Sequence, residues 1–350
     1  MDKFKFLKGF YAGIWNHFPG TGYIDFHSNN LVIISSRGVL GYSSNFEGEL
    51  FFKQIKNNTD QFINIKQYEK DRLFSLEDLT IIKDKIYLSY TEEIKKNCWN
   101  TSVIFSEMNY ENLEFKKLFS SEQCVHAAKN IDNEFASSQT GGRIVGLDDN
   151  HILLSTGEYR LRYLAQKKNS INGKILKINI NNSDYEIISM GHRNPQGLFF
   201  DKENNFILET EHGPKGGDEI NLIELNQNKI PNYGWALASA GEHYKKTDEK
   251  YKKYPLYKSH KEHGFIEPLI SFVPSLGISE ITKIDKSYYV VSSLKDKSLH
   301  FFQLDNDKKI INLTRVEVLE RVRDIIYREN KLYMFLEDTA SIGVIDVSQF

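Results

Sequence analysis

Between Gly191 and Trp235 the chain reads GHRNPQGLFFDKENNFILETEHGPKGGDEINLIELNQNKIPNYGW. Two histidines, His192 and His212, stand there with Arg193, a Gly-Pro, a Gly-Gly-Asp-Glu and a Tyr-Gly-Trp. Imidazoles and carboxylates exchange protons, a guanidinium holds anions, and carboxylate and carbonyl oxygens hold hard cations. Between these polar clusters lie two short apolar runs, Leu198–Phe200 and Phe206–Leu208, joined at Glu203-Asn204-Asn205. That is hairpin chemistry. The clusters therefore fall at strand ends, where loops present functional groups from a rigid scaffold.

The elements that must position them repeat. Tyr23–Phe26, a turn at Ser28-Asn29-Asn30 and Leu31–Ser36 form strand, turn, strand, with Val39–Tyr42 as a third strand after Arg37-Gly38. The unit recurs at Leu79–Tyr90, Gly142–Gly157, Gln196–Glu209, Ile281–Ser293 and Asp324–Phe335. Further strand-like segments follow the copies, such as Ile175–Ile178, Leu299–Leu304 and Gly343–Val347. The expected fold is all-β: six antiparallel sheets of three to four strands, roughly 58 residues each, built as a six-bladed β-propeller in one domain over residues 1–350. A β-sandwich seldom explains six hairpins of one design. Polar insertions are expected at Thr91–Asn100, Ser120–Ser138 and Ala238–Glu267. The last is read as a strandless surface lid or flap, and its lysine run from Lys245 to Lys261 as a solvated face.

Composition agrees. Aromatic residues make up 13% of the chain, with 23 Phe and 19 Tyr against 7 Pro, as strand-rich chains prefer. The net charge of −2 leaves no basic surplus for a phosphate backbone, so nucleic acid is not an expected partner. No run approaches a membrane span, and the N-terminal alternation of Lys with aromatics is unlike a signal peptide. Cys98 and Cys124 pair in an oxidising compartment or stay as free thiols.

In GHRNPQGL (191–198), EHGPKGGDEIN (211–221), NYGW (232–235), SLK (293–295) and RVRD (321–324) the chain resembles the glucose/sorbosone dehydrogenases, from about Leu79 onward. Singly, an Arg-x-Arg is most simply a surface or salt-bridged pair and a Gly-Pro a turn; in this order they are specific. The family fold is a six-bladed β-propeller. The resemblance implies pyrroloquinoline quinone (PQQ) on one face of the propeller, with Ca2+ on its quinone and carboxylate oxygens. It implies Arg193, Lys295, Arg321 and Arg323 as the cations around that three-carboxylate cofactor, and Asn194 as a polar contact to the quinone. It also implies the Gly213 and Pro214 carbonyls as ligands of the active-site calcium, Asp218 beside the active site, and Glu219 as a ligand of a structural calcium.

The family's general base, a His four residues before the Arg of a Gly-Gly-Arg motif, is Gln139 here, in Gln139–Arg143. An amide does not accept a proton at neutral pH. The Asp that orients the base is Glu158, in Thr156-Gly157-Glu158. Glu158 either takes over as base or holds Gln139 by a hydrogen bond. A family Gln in an early glycine-rich loop gives way to Phe74–Asp78, and an aromatic platform to the aliphatic Glu267–Ser271. The expected activity is oxidation of an aldose or similar polyol, with hydride passing from sugar C1 to the quinone and on to an unidentified electron acceptor, Arg193 stabilising the reduced quinone and Gln139, Glu158 and Asp218 at the reacting centre. The alternative is an inactive propeller that binds a carbohydrate or a protein. The family is usually periplasmic or secreted; without a removed leader the expectation is cytoplasmic.

Overall fold

The computed structural model describes residues 1–5, 21–44, 50–225, 227–244, 249–285 and 287–349. The aromatic N-terminal stretch Phe6–Phe18, residues 245–248 of the lysine-rich insertion and Lys286 in the fifth hairpin turn lie outside them. Each of the six hairpins read in the sequence is the first strand pair of a separate sheet. The third sheet runs Gly141–Asp148, His151–Thr156, Lys174–Asn179, Tyr185–Met190, and the fourth Pro195–Asp201, Phe206–Glu211, Asp218–Glu224, Ile270–Phe272. The sixth takes Val322–Arg328, Lys331–Leu336 and Ser341–Asp346, and adds Asp2–Lys5 against the last of these. These meanders are the blades of a six-bladed β-propeller. Among the described residues every blade has the expected four strands, and two carry a short fifth, Asn112–Leu113 or Val125–His126.

Burial follows the order of strands within a blade. Second strands such as Phe206–Glu211 are buried along their whole length, because neighbouring sheets cover both faces, and they read as continuous rather than alternating apolar runs. Outermost strands such as Ile310–Glu317 are largely exposed, with Asn312, Arg315 and Glu317 set among apolar residues that reach solvent.

Chain contacts define two compact units, residues 1–91, 103–118 and 279–350, and residues 92–102 and 119–278. In the first, Val290, Leu299 and Phe301 of the fifth sheet pack on Val322, Leu332 and Met334 of the sixth. In the second, Leu153 and Ile175 of the third sheet pack on Leu198, Ile207 and Ile223 of the fourth.

Two expectations are corrected. Thr91–Asn100 is no loop: strands Lys85–Lys95 and Cys98–Glu107 run through it, turning at Asn97, whose φ is 56°. Its polar residues are compatible with a strand because the Glu92 carboxylate accepts from the Ser102 and Ser120 hydroxyls, each at 2.6 Å. Ala238–Glu267 has no strand among its described residues, as expected, but it is fastened rather than laid on the surface. Tyr251, Tyr254 and Leu256 pack with Ala165, Trp235 and Ala236, the Tyr251 hydroxyl donates to Glu134, and Lys253 pairs with Asp132 at 2.7 Å. Nor is its lysine run simply a solvated face, since Lys258 also donates to the carbonyls of Ser239, Ala240 and Gly241. Cys98 and Cys124 form a disulfide.

Candidate active site

In the third sheet Gly141 pairs with Thr156, Thr156 with Lys174, and Lys174 with Met190. Gln139, Glu158 and the turn 191–194 therefore adjoin one end of that sheet. In the fourth, Pro195 pairs with Glu211 and Glu211 with Glu219, so the loop 212–217 leaves the corresponding end.

Glycine makes the junction possible. A Cβ on Gly157 would lie 2.2 Å from the Gln139 carbonyl oxygen, closer than any side-chain carbon tolerates. The Gln139 main chain is held independently, its N–H on the Ala136 carbonyl at 3.1 Å and its carbonyl accepting from Tyr159 N–H at 3.0 Å.

The Gln139 side chain bridges Glu158 and Arg193. Its nitrogen donates to Glu158 Oε1 at 2.6 Å and its oxygen accepts from an Arg193 amine at 2.8 Å, the only orientation that opposes donors to acceptors. Glu158 is fully buried. Burial raises its carboxyl against the pull of Arg162 and Arg193, leaving it at about 7. Glu158 Oε2 has no hydrogen-bond partner. Arg193 also donates to the His212 carbonyl at 2.7 Å, and its guanidinium lies 5.3 Å from the Trp235 ring centre. The Asn194 side-chain oxygen accepts from Gly141 N–H at 3.2 Å.

The loop after His212 is cation-binding in character. Among the described residues, the Gly213 and Pro214 carbonyls accept no hydrogen bond, which leaves two neutral oxygens free for a hard cation. Asp218 organises the loop: one carboxylate oxygen accepts from Gly213 N–H at 3.1 Å, the other from Gly277 and Ile278 N–H at 2.7 and 3.1 Å. Glu219, pushed well above the usual carboxylate range by burial and by Glu211, stands 3.7 Å from His260 Nε2, and His260 Nδ1 is 3.4 Å from Glu267. An imidazole beside Glu219 suits calcium less well than the Gly213 and Pro214 carbonyls do.

The remaining cations belong to the other unit. Arg321 and Arg323 grip one carboxylate, with Nε atoms 2.8 and 2.7 Å from the two Glu337 oxygens. Burial alone would raise Glu337, but Arg323 and Arg321 outweigh it and hold it below the usual carboxylate range. Lys295 is exposed and has no ion-pair partner among the described residues.

The family model for glucose/sorbosone dehydrogenases matches residues 82–345. The chain belongs to that family. It is 27% identical over 230 residues to the aldose sugar dehydrogenase YliI of Escherichia coli, across 59% of each protein. The matched stretches span 50% and 59% of the lengths of two curated relatives, so the chain matches about half of one and under two thirds of the other. Among solved structures it resembles the apo soluble aldose sugar dehydrogenase of Escherichia coli (TM-score 0.71, 20% identity, 93% of this chain and 95% of that one). It also resembles the PQQ-bound aldose sugar dehydrogenase of Streptomyces coelicolor (TM-score 0.65, 16% identity, 94% and 100%). At such identities the likeness establishes the propeller fold.

Within the second unit the structure thus brings together Gln139, Glu158 and Arg193, with Asn194 adjoining and Gly213 and Pro214 one and two residues beyond the carbonyl that Arg193 grips. Sequence reasoning missed Arg162, which pairs with Glu134 beside Glu158 and lies 4.7 Å from the Tyr251 ring centre. Its one signal was Tyr-Arg-Leu-Arg directly after Thr-Gly-Glu. Trp235 was noted only as part of a motif, yet it lies beside the Arg193 guanidinium.

Proposed function

We propose that the chain is a PQQ- and calcium-binding sugar dehydrogenase that oxidises an aldose or similar polyol. One observation carries the reading: the buried Arg193 guanidinium is tied to the His212 carbonyl, immediately before the two unpartnered carbonyls of Gly213 and Pro214. An anion-binding group tied by a hydrogen bond to the loop that carries a hard-cation seat suits a polycarboxylate quinone with its calcium. Arg193 and Asn194 would hold the quinone end, and Gly213 and Pro214 the calcium; Lys295, Arg321 and Arg323 are assigned to the cofactor on the family resemblance alone. When bound, the quinone supplies a two-electron acceptor for hydride from the sugar.

This chain's residues must then dispose of the hydroxyl proton. Gln139 orients but takes no proton, whereas Glu158, at about 7, is poised for general-base work near neutrality. Glu158 lies sealed behind Gln139, so transfer to Oε2 requires the Gln139 side chain to swing aside, which predicts slow turnover. Asp218 spends both oxygens on backbone N–H groups and acts as a positioning residue. The same sealing of Glu158 favours a second reading, a propeller that keeps the pocket without the reaction and binds a carbohydrate or a protein. The Cys98–Cys124 bridge supports an oxidising compartment, and no described helix is long and apolar enough to cross a membrane. Sugar-dependent reduction of a dye acceptor with saturating PQQ and Ca2+ tests the enzyme reading; PQQ uptake without turnover leaves the binder.

A further inference from the structure

Strand Phe206–Glu211 places Glu209 and Glu211 two residues apart, hence on one face, and the register sets Asn221 opposite Glu209. His192 reaches the same face from the turn before Arg193. Its Nδ1 lies 3.7 Å from Glu209 Oε2 and 3.8 Å from Glu211 Oε1. All four side chains are buried.

Those spacings are too long for hydrogen bonds. Among the described residues His192 Nδ1 and Glu209 Oε1 have no hydrogen-bond partner. At the other ring nitrogen, His192 Nε2 meets the Ser189 hydroxyl at 2.8 Å. With Nε2–H donating there, Nδ1 turns a lone pair toward the two carboxylates, the arrangement in which an outer hydrogen bond fixes a ligand imidazole. The Asn221 amide nitrogen donates to Glu209 Oε2 at 2.9 Å and to Glu211 Oε1 at 3.3 Å, which orients both carboxylates as an outer partner would. No Lys or Arg among the described residues forms an ion pair with either glutamate; Arg193 touches Glu211 through its main-chain N–H alone.

Two buried carboxylates this close are stable only with a proton or a cation between them, and an imidazole lone pair aimed at both selects the cation. Ligand atoms each about 2.1 Å from one metal, at tetrahedral or slightly wider angles, stand roughly 3.4–3.7 Å apart. We propose that His192 Nδ1, Glu209 and Glu211 hold a buried divalent cation of the zinc or manganese type. An imidazole nitrogen with two carboxylates favours such ions over calcium or magnesium. The site is distinct from the Gly213–Pro214 carbonyls and does not rest on the dehydrogenase reading. Being sealed, it fills as the chain folds, and the ion then fastens His192, and with it the turn carrying Arg193 and Asn194, to the fourth sheet.

The test omits PQQ and sugar. Full-length protein is unfolded in guanidinium with chelator, refolded with Zn2+, Mn2+, Ca2+, Mg2+ or no metal, desalted, and measured for metal content and melting temperature. The expected result is about one Zn2+ or Mn2+ per chain, a higher melting temperature than the metal-free sample, and loss of both in Glu209→Leu and in the isosteric Glu209→Gln. Metal-free wild type that melts with the zinc- and manganese-refolded samples overturns the proposal. So does zinc or manganese uptake that persists in folded Glu209→Gln, or uptake confined to calcium or magnesium. If neither variant folds, the wild-type comparison alone decides.

Discussion

The Gln139 amide nitrogen stands 2.6 Å from Glu158 Oε1, so the two side chains proposed for the reacting centre are hydrogen-bonded to each other. If Glu158 takes the proton, Glu158→Gln abolishes sugar oxidation while PQQ stays bound. Gln139→His then raises turnover by supplying an imidazole, since a positioned base contributes roughly a hundredfold to ten-thousandfold. Steady-state turnover of wild type, both single variants and the double variant, with PQQ and Ca2+ saturating, checks this. Wild-type turnover that survives Glu158→Gln rules out Glu158 as base.

Arg323→Ala removes one of two guanidiniums from Glu337 as well as a proposed cofactor cation. PQQ affinity is expected to fall by about 2–5 kcal/mol, the usual consequence of truncating one partner of a buried charge pair. Titration calorimetry with calcium present reads it directly. Unchanged affinity in a folded variant excludes Arg323 from the cofactor site.

Stability should carry the signature of Glu158. Its carboxyl, raised to about 7 from an ordinary 4.5, binds its proton more tightly folded than unfolded. The contribution is full below about 4.5 and is lost as pH rises through about 7, up to roughly 3 kcal/mol. Asp25, also raised to about 7 by burial, has the same sign, so the comparison must be with Glu158→Gln rather than with a flat line. Denaturant titrations from about pH 5 to pH 8 should show wild type losing more stability than the variant. Parallel curves would mean that Glu158 titrates normally.

Lys174 is buried and directs Nζ at the carbonyls of Leu164, Ala165 and Asn172, at 2.9, 2.9 and 2.8 Å. Lys174→Met keeps most of the volume but strands three acceptors, and should cost at least about 3 kcal/mol. A denaturation midpoint within error of wild type would show that water replaces the ammonium.

The six hairpins were legible because alternating or continuous apolar runs and Asn/Asp-rich turns are local signals. Thr91–Asn100 was not, because what makes its Glu92 compatible with a strand is a pair of hydroxyls, Ser102 and Ser120, contributed by later segments. The fastening of 238–267 was hidden for the same reason, since Tyr251 and Lys253 find Glu134 and Asp132 more than a hundred residues earlier in the chain. The motif order disclosed Gln139, Glu158 and Arg193 individually. It did not disclose that the amide lies between the other two, or that Asp218 is occupied by backbone N–H groups. The acidic pair Glu209 and Glu211 left a faint trace, two like charges spaced i, i+2 directly after the apolar run Phe206–Leu208.

The backbone at residue 139 is held by the Ala136 carbonyl, the Tyr159 N–H and the close approach of Gly157, none of which involves its side chain. Glutamine and histidine codons differ by a single base. One point mutation therefore exchanges amide for imidazole, altering the bridge to Glu158 and Arg193 but not the backbone contacts, while any mutation at Gly157 moves that backbone itself. Exchange of amide for imidazole at position 139 is a step this architecture permits without moving the backbone that frames it.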